Sequence, residues 1–185
     1  MGILPIGILS VIVVLVAFLV AVYNSLIKLR NKTEEAWSDI DVQLKRRYDL
    51  IPNLVETVKG YAKHENKTFE NIATFRSQAM QATNPGEKAK ADNMLSDTLK
   101  SLFAVSENYP ELKANQNFLD LQNQLSVIEE TIQQSRRYYN GNVRDFNIKL
   151  ETFPNNLVAG SFGFKKFDFF EVADAKEKEN VEVKF

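Results

Sequence analysis

Residues 115–152 read NQNFLDLQNQLSVIEETIQQSRRYYNGNVRDFNIKLET. Along and just past this stretch, Phe118, Leu121, Leu125, Ile128, Ile132, Ser135, Tyr139, Val143, Phe146, Leu150 and Phe153 recur at spacings of three and four residues. An α-helix turns once in about 3.6 residues, so the set lies along one face and its repeat is a heptad. Between Ser135 and Val143 two spacings of four follow one another, a stutter at which a supercoil relaxes. Pro154 lacks an N–H and stops the helix. Gly141 costs about 1 kcal/mol relative to alanine inside a helix, which points to close packing or a slight bend there.

Upstream, the helical period continues. Trp37, Ile40, Leu44, Tyr48, Ile51, Val55, Val58 and Ala62 form a second apolar stripe. Pro52 interrupts it without shifting its phase, which predicts a kink or a short break at 49–51. A further helix is expected over 65–82, with Phe69, Ile72, Ala73, Phe75, Ala79 and Met80 inward. Thr83-Asn84-Pro85-Gly86 is the clearest turn in the chain. A third helix starts near Glu87, carries Met94, Leu95, Leu99, Leu102, Phe103 and Val105, and fades before Tyr109-Pro110. Four amphipathic segments with short connections predict an all-α fold, an up-and-down antiparallel four-helix bundle with a long first and fourth helix as neighbours.

A separate element precedes these. Ile3 to Val22, ILPIGILSVIVVLVAFLVAV, is a 20-residue run whose only polar side chain is Ser10. As a helix it rises about 30 Å, the thickness of a bilayer's hydrocarbon core. A cleavable signal peptide needs a basic start and small residues before the cut, and neither is present. The run is therefore expected to be an uncleaved transmembrane helix, with no Gly or Pro between Tyr23 and Asn31 to part it from the first bundle helix. Lys28, Arg30 and Lys32 follow the span, and such residues tend to stay cytoplasmic. The expectation is a single-pass protein of a bacterial inner (plasma) membrane, N-terminus outside and domain cytoplasmic. The implied division is an anchor over 1–27 with its span at about 3–22, a bundle over 28–154, and an irregular aromatic and charged tail over 155–185.

Composition excludes several chemistries. The chain has 185 residues, 23 Lys+Arg and 24 Asp+Glu, a balance that argues against a nucleic-acid partner. It has no cysteine, so disulfides, thiolate nucleophiles and Cys-ligated metals are out. His64 is the only histidine, and HENKT at 64–68 has Thr68 where a zinc-binding HExxH needs its second His. The four-helix di-iron pattern needs ExxH twice and fails for the same reason. Gly160-Ser161-Phe162-Gly163 lacks the spacing of a phosphate loop, and no GxSxG surrounds a serine. Carboxylate pairs such as Asp39/Asp41 and Glu129/Glu130 diverge around a helix. No catalytic, cofactor or metal residue is expected, and no small molecule is implied.

Longer motifs carry a resemblance. YNSLIKLRNKTEEAWSDIDVQLKRRYDLIPNLVETVKGYAKHE at 23–65 is followed by AVSENYPELKANQNFLDLQNQL at 104–125. Then come SRRYYNGNVRDFNIKLETFPNNLVAGSFGF at 135–164 and FFEV at 169–172. In this order they resemble the LemA family over essentially the whole chain after the anchor. The resemblance implies one N-terminal span and a helical-bundle domain, and it transfers no catalytic activity or cofactor. Gly141 and Asn147 depart from the family's usual residues at their positions.

Three clusters remain. Lys45-Arg46-Arg47 reads as a solvated helix face, with Asp41, Lys45 and Asp49 at ion-pairing spacing. Lys45 lies about 35 Å along a straight helix from the span, beyond the Debye length of about 8 Å, so contact with anionic lipid would need a bent domain. Pairing the long helices antiparallel with Arg137 opposite Arg47 predicts a buried polar network of Asp49, Arg137, Tyr139 and Asn140 near Pro52. The aromatics Phe162, Phe164, Phe167, Phe169 and Phe170 must be covered and are expected to fold back over a seam of the bundle. Charged residues 173–180 then read as a tether. Val181, Val183 and Phe185 alternate with charges and suit docking by strand addition on a partner or neighbouring subunit.

These features favour a membrane-anchored helical scaffold or adaptor, not an enzyme, held to the lipid bilayer by its N-terminal helix. It would assemble with itself or with a membrane-protein partner. The alternative is a ligand-sensing input domain or an unrecognised hydrolase, which requires a pocket lined by convergent polar groups.

Overall fold

The apolar run that ends at Val22 and the stripe that begins at Trp37 are one helix. In the computed structural model, which describes residues 3–62 and 64–171, α1 spans Ile3–Lys59 without interruption. It is followed by α2 (Asn66–Gln81), α3 (Pro85–Ser106), the single turn α4 (Pro110–Lys113), α5 (Gln116–Glu151) and α6 (Asn155–Ser161). No strand occurs among the described residues. The fold is all-α, and α1 is long and apolar enough near its start to cross a membrane.

Pro52 lies inside α1, and the predicted break at 49–51 does not occur. A helical proline leaves the carbonyl four residues earlier without its N–H partner, here that of Tyr48. Arg76 on α2 supplies the missing donor: its Nε donates to the Tyr48 carbonyl oxygen at 2.6 Å. The helix continues because a side chain from a neighbour replaces the lost bond.

The chain divides into two compact units. One contains α1 as far as Asp41 together with 135–168. Here α1 and α5 run antiparallel, since Lys149 Nζ donates to Ser25 Oγ near one end while Trp37 packs against Tyr139 at the other. Val22 and Leu26 are buried with Phe146 and Leu150 of α5 and Val158 and Ala159 of α6. The helical turn α6 replaces the irregular structure expected for this part of the tail. Its end explains the glycine: Gly163 has φ +69°, Phe164 N–H donates to Ala159 at 3.0 Å, and Gly163 N–H donates to Gly160 at 3.3 Å. This paired capping reverses the chain and returns Phe164 and Phe167 to the apolar cluster. Asn147 clamps the returning strand of chain: its Nδ2 donates to the Phe167 carbonyl and its Oδ1 accepts the Phe167 N–H, both at 3.0 Å.

The second unit comprises 42–134 and the described residues that follow Asp168. Asn84 starts α3 by accepting the Glu87 N–H at 2.8 Å, with Pro85 in the first turn, so the tetrapeptide read as a turn is also a helix cap. Ile72 and Ala79 of α2 and Leu95, Leu99 and Leu102 of α3 are buried, as are Leu44, Tyr48, Ile51, Val55 and Val58 of α1. Tyr61 accepts a hydrogen bond from Asn115 at the head of α5. The inward sets are smaller than the periodicity implied, because Ala73, Met80 and Met94 are exposed.

The tail aromatics share no single fate. Phe170 is buried and Phe164 and Phe167 are half-buried, whereas Phe162 and Phe169 are exposed. Phe153, the last member of the α5 stripe, lies past the end of that helix and is exposed. The tether at 173–180 and the docking residues Val181, Val183 and Phe185 lie outside the described residues.

Arg76→Ala is expected to lower stability by about 1.5–3 kcal/mol, the range for a hydrogen bond from a charged donor. In a Pro52→Ala background, where residue 52 can again donate to the Tyr48 carbonyl, the same substitution should cost clearly less. Thermal melting of the four purified proteins followed by circular dichroism measures the difference.

Candidate functional site

Arg47 lies between Leu44, Tyr48 and Ile51 on the inward face of α1 and has no exposed surface. A guanidinium cannot shed its charge, so burial requires that it be neutralised and hydrogen-bonded in place. Its Nη1 donates to Asp92 Oδ1 at 2.8 Å, and its Nη2 donates to Ser96 Oγ at 2.8 Å. Nη2 also stands 2.6 Å from Glu129 Oε1, a carboxylate from α5 that is 33% exposed. The Tyr48 hydroxyl donates to the same Asp92 oxygen at 3.4 Å. Nε has no hydrogen-bond partner among the described residues. The cluster ties α1, α3 and α5 together at one level. Sealed from water and neutralised on two sides, this guanidinium has no path to a substrate.

This cluster stands where the sequence reading put a different one. Asp49 and Arg137 are both exposed, so neither belongs to a buried network. Residues two apart on a helix point about 200° apart, which turns Asp49 away from the face that Arg47 shares with the apolar stripe. The same relation turns Arg137 away from buried Tyr139. The partner of Arg47 on α5 is Glu129, eight residues before Arg137 and about two turns from the expected register. Asn140 is half-buried, and Tyr139 donates its hydroxyl to the Asp168 carbonyl at 2.9 Å. Burial, with the Asp168 charge as a lesser cause, pushes the Tyr139 hydroxyl up to about 12. Asp92 could have been found in the sequence, since it lies three residues before Leu95 and seven before Leu99, in phase with the buried stripe of α3. Arg47 is in phase with Leu44 and Ile51 in the same way.

The open site is in the other unit. A cavity of about 370 Å³ is walled by Tyr23, Phe146, Phe164 and Phe167, with Arg30 and Lys165 among its charged lining. Arg30 is ion-paired to Glu34 one turn on at 2.9 Å, and Lys166 is paired to Glu151. Tyr23 packs against Phe162 and Phe164 with ring centroids 4.8 and 5.9 Å away. Its described lining gathers aromatic faces, the cations Arg30, Lys165 and Lys166 and the Glu34 carboxylate, with no Ser, Thr or His among them. Among the described residues no group of three or more His, Cys, Asp or Glu side chains converges to hold a metal. His64 is exposed in the turn before α2.

A family model described as LemA family matches residues 36–185. The chain is similar to Protein LemA of Metamycoplasma hominis, 31% identical over 166 residues that cover 86% of this chain and 72% of the relative. It is similar to Magnetosome protein MamQ 2 of Paramagnetospirillum magneticum, 25% identical over 196 residues covering 92% and 72%. Magnetosome protein MamQ of Magnetospirillum gryphiswaldense is 21% identical over 193 residues, covering 90% and 71%.

Arg47→Met, which strands the Asp92 carboxylate in the interior, is expected to cost about 3–5 kcal/mol. Arg47→Met with Asp92→Leu should recover most of that loss, and Arg137→Met should change stability by no more than about 0.5 kcal/mol. Denaturant unfolding of the three variants decides the point. A second expectation concerns pH. The unfolded chain releases the Tyr139 proton near pH 10 and the folded chain holds it to about 12. The folded state therefore binds more protons across that window, and stability falls as pH rises through it, with no contribution to pH dependence below pH 10. Ultraviolet titration should show one late-ionising tyrosine that Tyr139→Phe removes.

Proposed function

The chain belongs to the LemA family, and on that premise we propose that it is a single-pass plasma-membrane protein whose helical domain serves as a scaffold or adaptor. The domain, read as a four-helix bundle, assembles with itself or with a membrane-protein partner and performs no catalysis.

The observation that carries this reading is the continuity of α1. Residues 6–21 are exposed without exception, and from Leu26 the same helix supplies core residues as far as Val58. An anchor joined by a flexible linker would let a domain diffuse freely about its tether. An anchor that is itself a core helix fixes the domain's tilt and height, which suits a part that must meet neighbours in the same membrane. The basic residues Lys28, Arg30 and Lys32 beside the span support a cytoplasmic domain.

Cross-linking of intact spheroplasts tests both halves of the proposal. A membrane-permeant lysine-directed cross-linker should give discrete higher-mass adducts of the chain, and an impermeant one of equal length should give none. Adducts with the impermeant reagent would reverse the orientation. A chain that remains monomeric with both would remove the scaffold.

A further inference from the structure

The residues beside the end of the span suggest a second contact with the bilayer. The unbroken apolar run ends at Val22, and Tyr23, Asn24, Ser25 and Lys28 follow it. Polar and charged residues of this kind mark the level at which a spanning helix leaves the hydrocarbon, and tyrosine is enriched there. Val22 is not free at that level. It is buried with Leu150, Val158 and Ala159, so the end of α5 and the whole of α6 stand beside the exit point. Lys149 bonded to Ser25 and Phe162 packed on Tyr23 place the same two segments at the same height.

The largest side chains this region shows to its surroundings are apolar, beside the smaller polar Thr152, Asn156 and Ser161. Phe153 is 75% exposed, Leu157 62% and Phe162 63%. From Thr152 to Phe164 there is no charged side chain, while Lys149, Glu151, Lys165 and Lys166 flank the stretch, with Lys166 paired to Glu151. An apolar surface bounded by net positive charge is the composition of a segment that lies in the headgroup–acyl boundary, burying its apolar side chains while its cations remain among phosphates. We infer that Phe153, Leu157 and Phe162 seat in the boundary layer of the bilayer beside α1, giving the protein an interfacial foot in addition to its span. A second copy of this chain is a weaker occupant, because the foot adjoins the helix that enters the lipid and lies at the level of its exit.

The inference rests on the reading of residues 3–22 as a membrane span, and the test separates the two. The chain has no cysteine, so single cysteines can be placed without background. Leu157→Cys, Val14→Cys and Lys100→Cys proteins, each full length and one copy per lipid nanodisc, are reacted with a membrane-impermeant maleimide. Lys100 is an exposed residue of α3 and sets the aqueous rate. Both Val14→Cys and Leu157→Cys should react at least about tenfold more slowly, the factor expected for sequestering a leucine-sized apolar surface. If Val14→Cys is protected while Leu157→Cys reacts at the aqueous rate, the interfacial foot is wrong and the span stands. Protection of Leu157→Cys that appears only when two copies share a disc also overturns it, in favour of self-association. If Val14→Cys itself reacts at the aqueous rate, the span fails and the foot falls with it.

Discussion

A guanidinium with no exposed surface must find its counter-charges in one place, and the unit built from 42–134 is arranged around that need. Arg47 meets Asp92 and Ser96 on α3 and Glu129 on α5, so three helices are held at a common level by one side chain. Apolar stripes alone tolerate displacement, because a leucine packs almost as well one turn along. A buried arginine does not, since sliding either neighbour by about 5.4 Å would strand a charge in the interior. Replacing such a pair by apolar residues is often neutral for stability, so its effect here is best understood as fixing register.

The next constraint lies one turn further along the same helix. Pro52 removes a donor from α1, and Arg76 donates to the Tyr48 carbonyl that this leaves open. Residues 47–52 thus draw one arginine from α1 into the core and one from α2 onto its backbone. Two cations that composition would assign to solvent act instead as connectors. This arrangement lets a proline-containing segment remain part of a helix of 57 residues.

The elements were largely legible in the sequence, because helical periodicity reports burial directly. Both long stripes, the turn at 83–86 and the apolar run appear in the structure within a few residues of their expected limits. The polar network was not legible, and the reason is specific. Asp49 and Arg137 come together only through an assumed register between two helices, and periodicity on each helix says nothing about their relative offset. Arg47 and Asp92 were available through phase, since each falls in line with buried leucines on its own helix. The end of α6 is illegible for another reason. Gly160-Ser161-Phe162-Gly163 holds no spacing that distinguishes a loop from a short helix closed by Gly163 in the left-handed region.

The contrast between Phe18 and Val22 shows how one face of a helix is used on either side of a boundary. Phe18 is 42% exposed and Val22 is buried, though they lie one turn apart on the same face of one helix. Below that point every described side chain from Ile6 to Ala21 is exposed. Each exposed large aliphatic side chain forgoes about 1.5–3 kcal/mol that burial would supply. A row of them on a helix with no neighbour is stable only in a solvent that does not exclude them, and a bilayer interior is such a solvent. On the proposed reading as a span, the helix changes solvent near Val22. On the same reading, α6 packed with that residue widens the surface that meets the boundary, and the exposed Phe153, Leu157 and Phe162 follow the same logic as the span they adjoin.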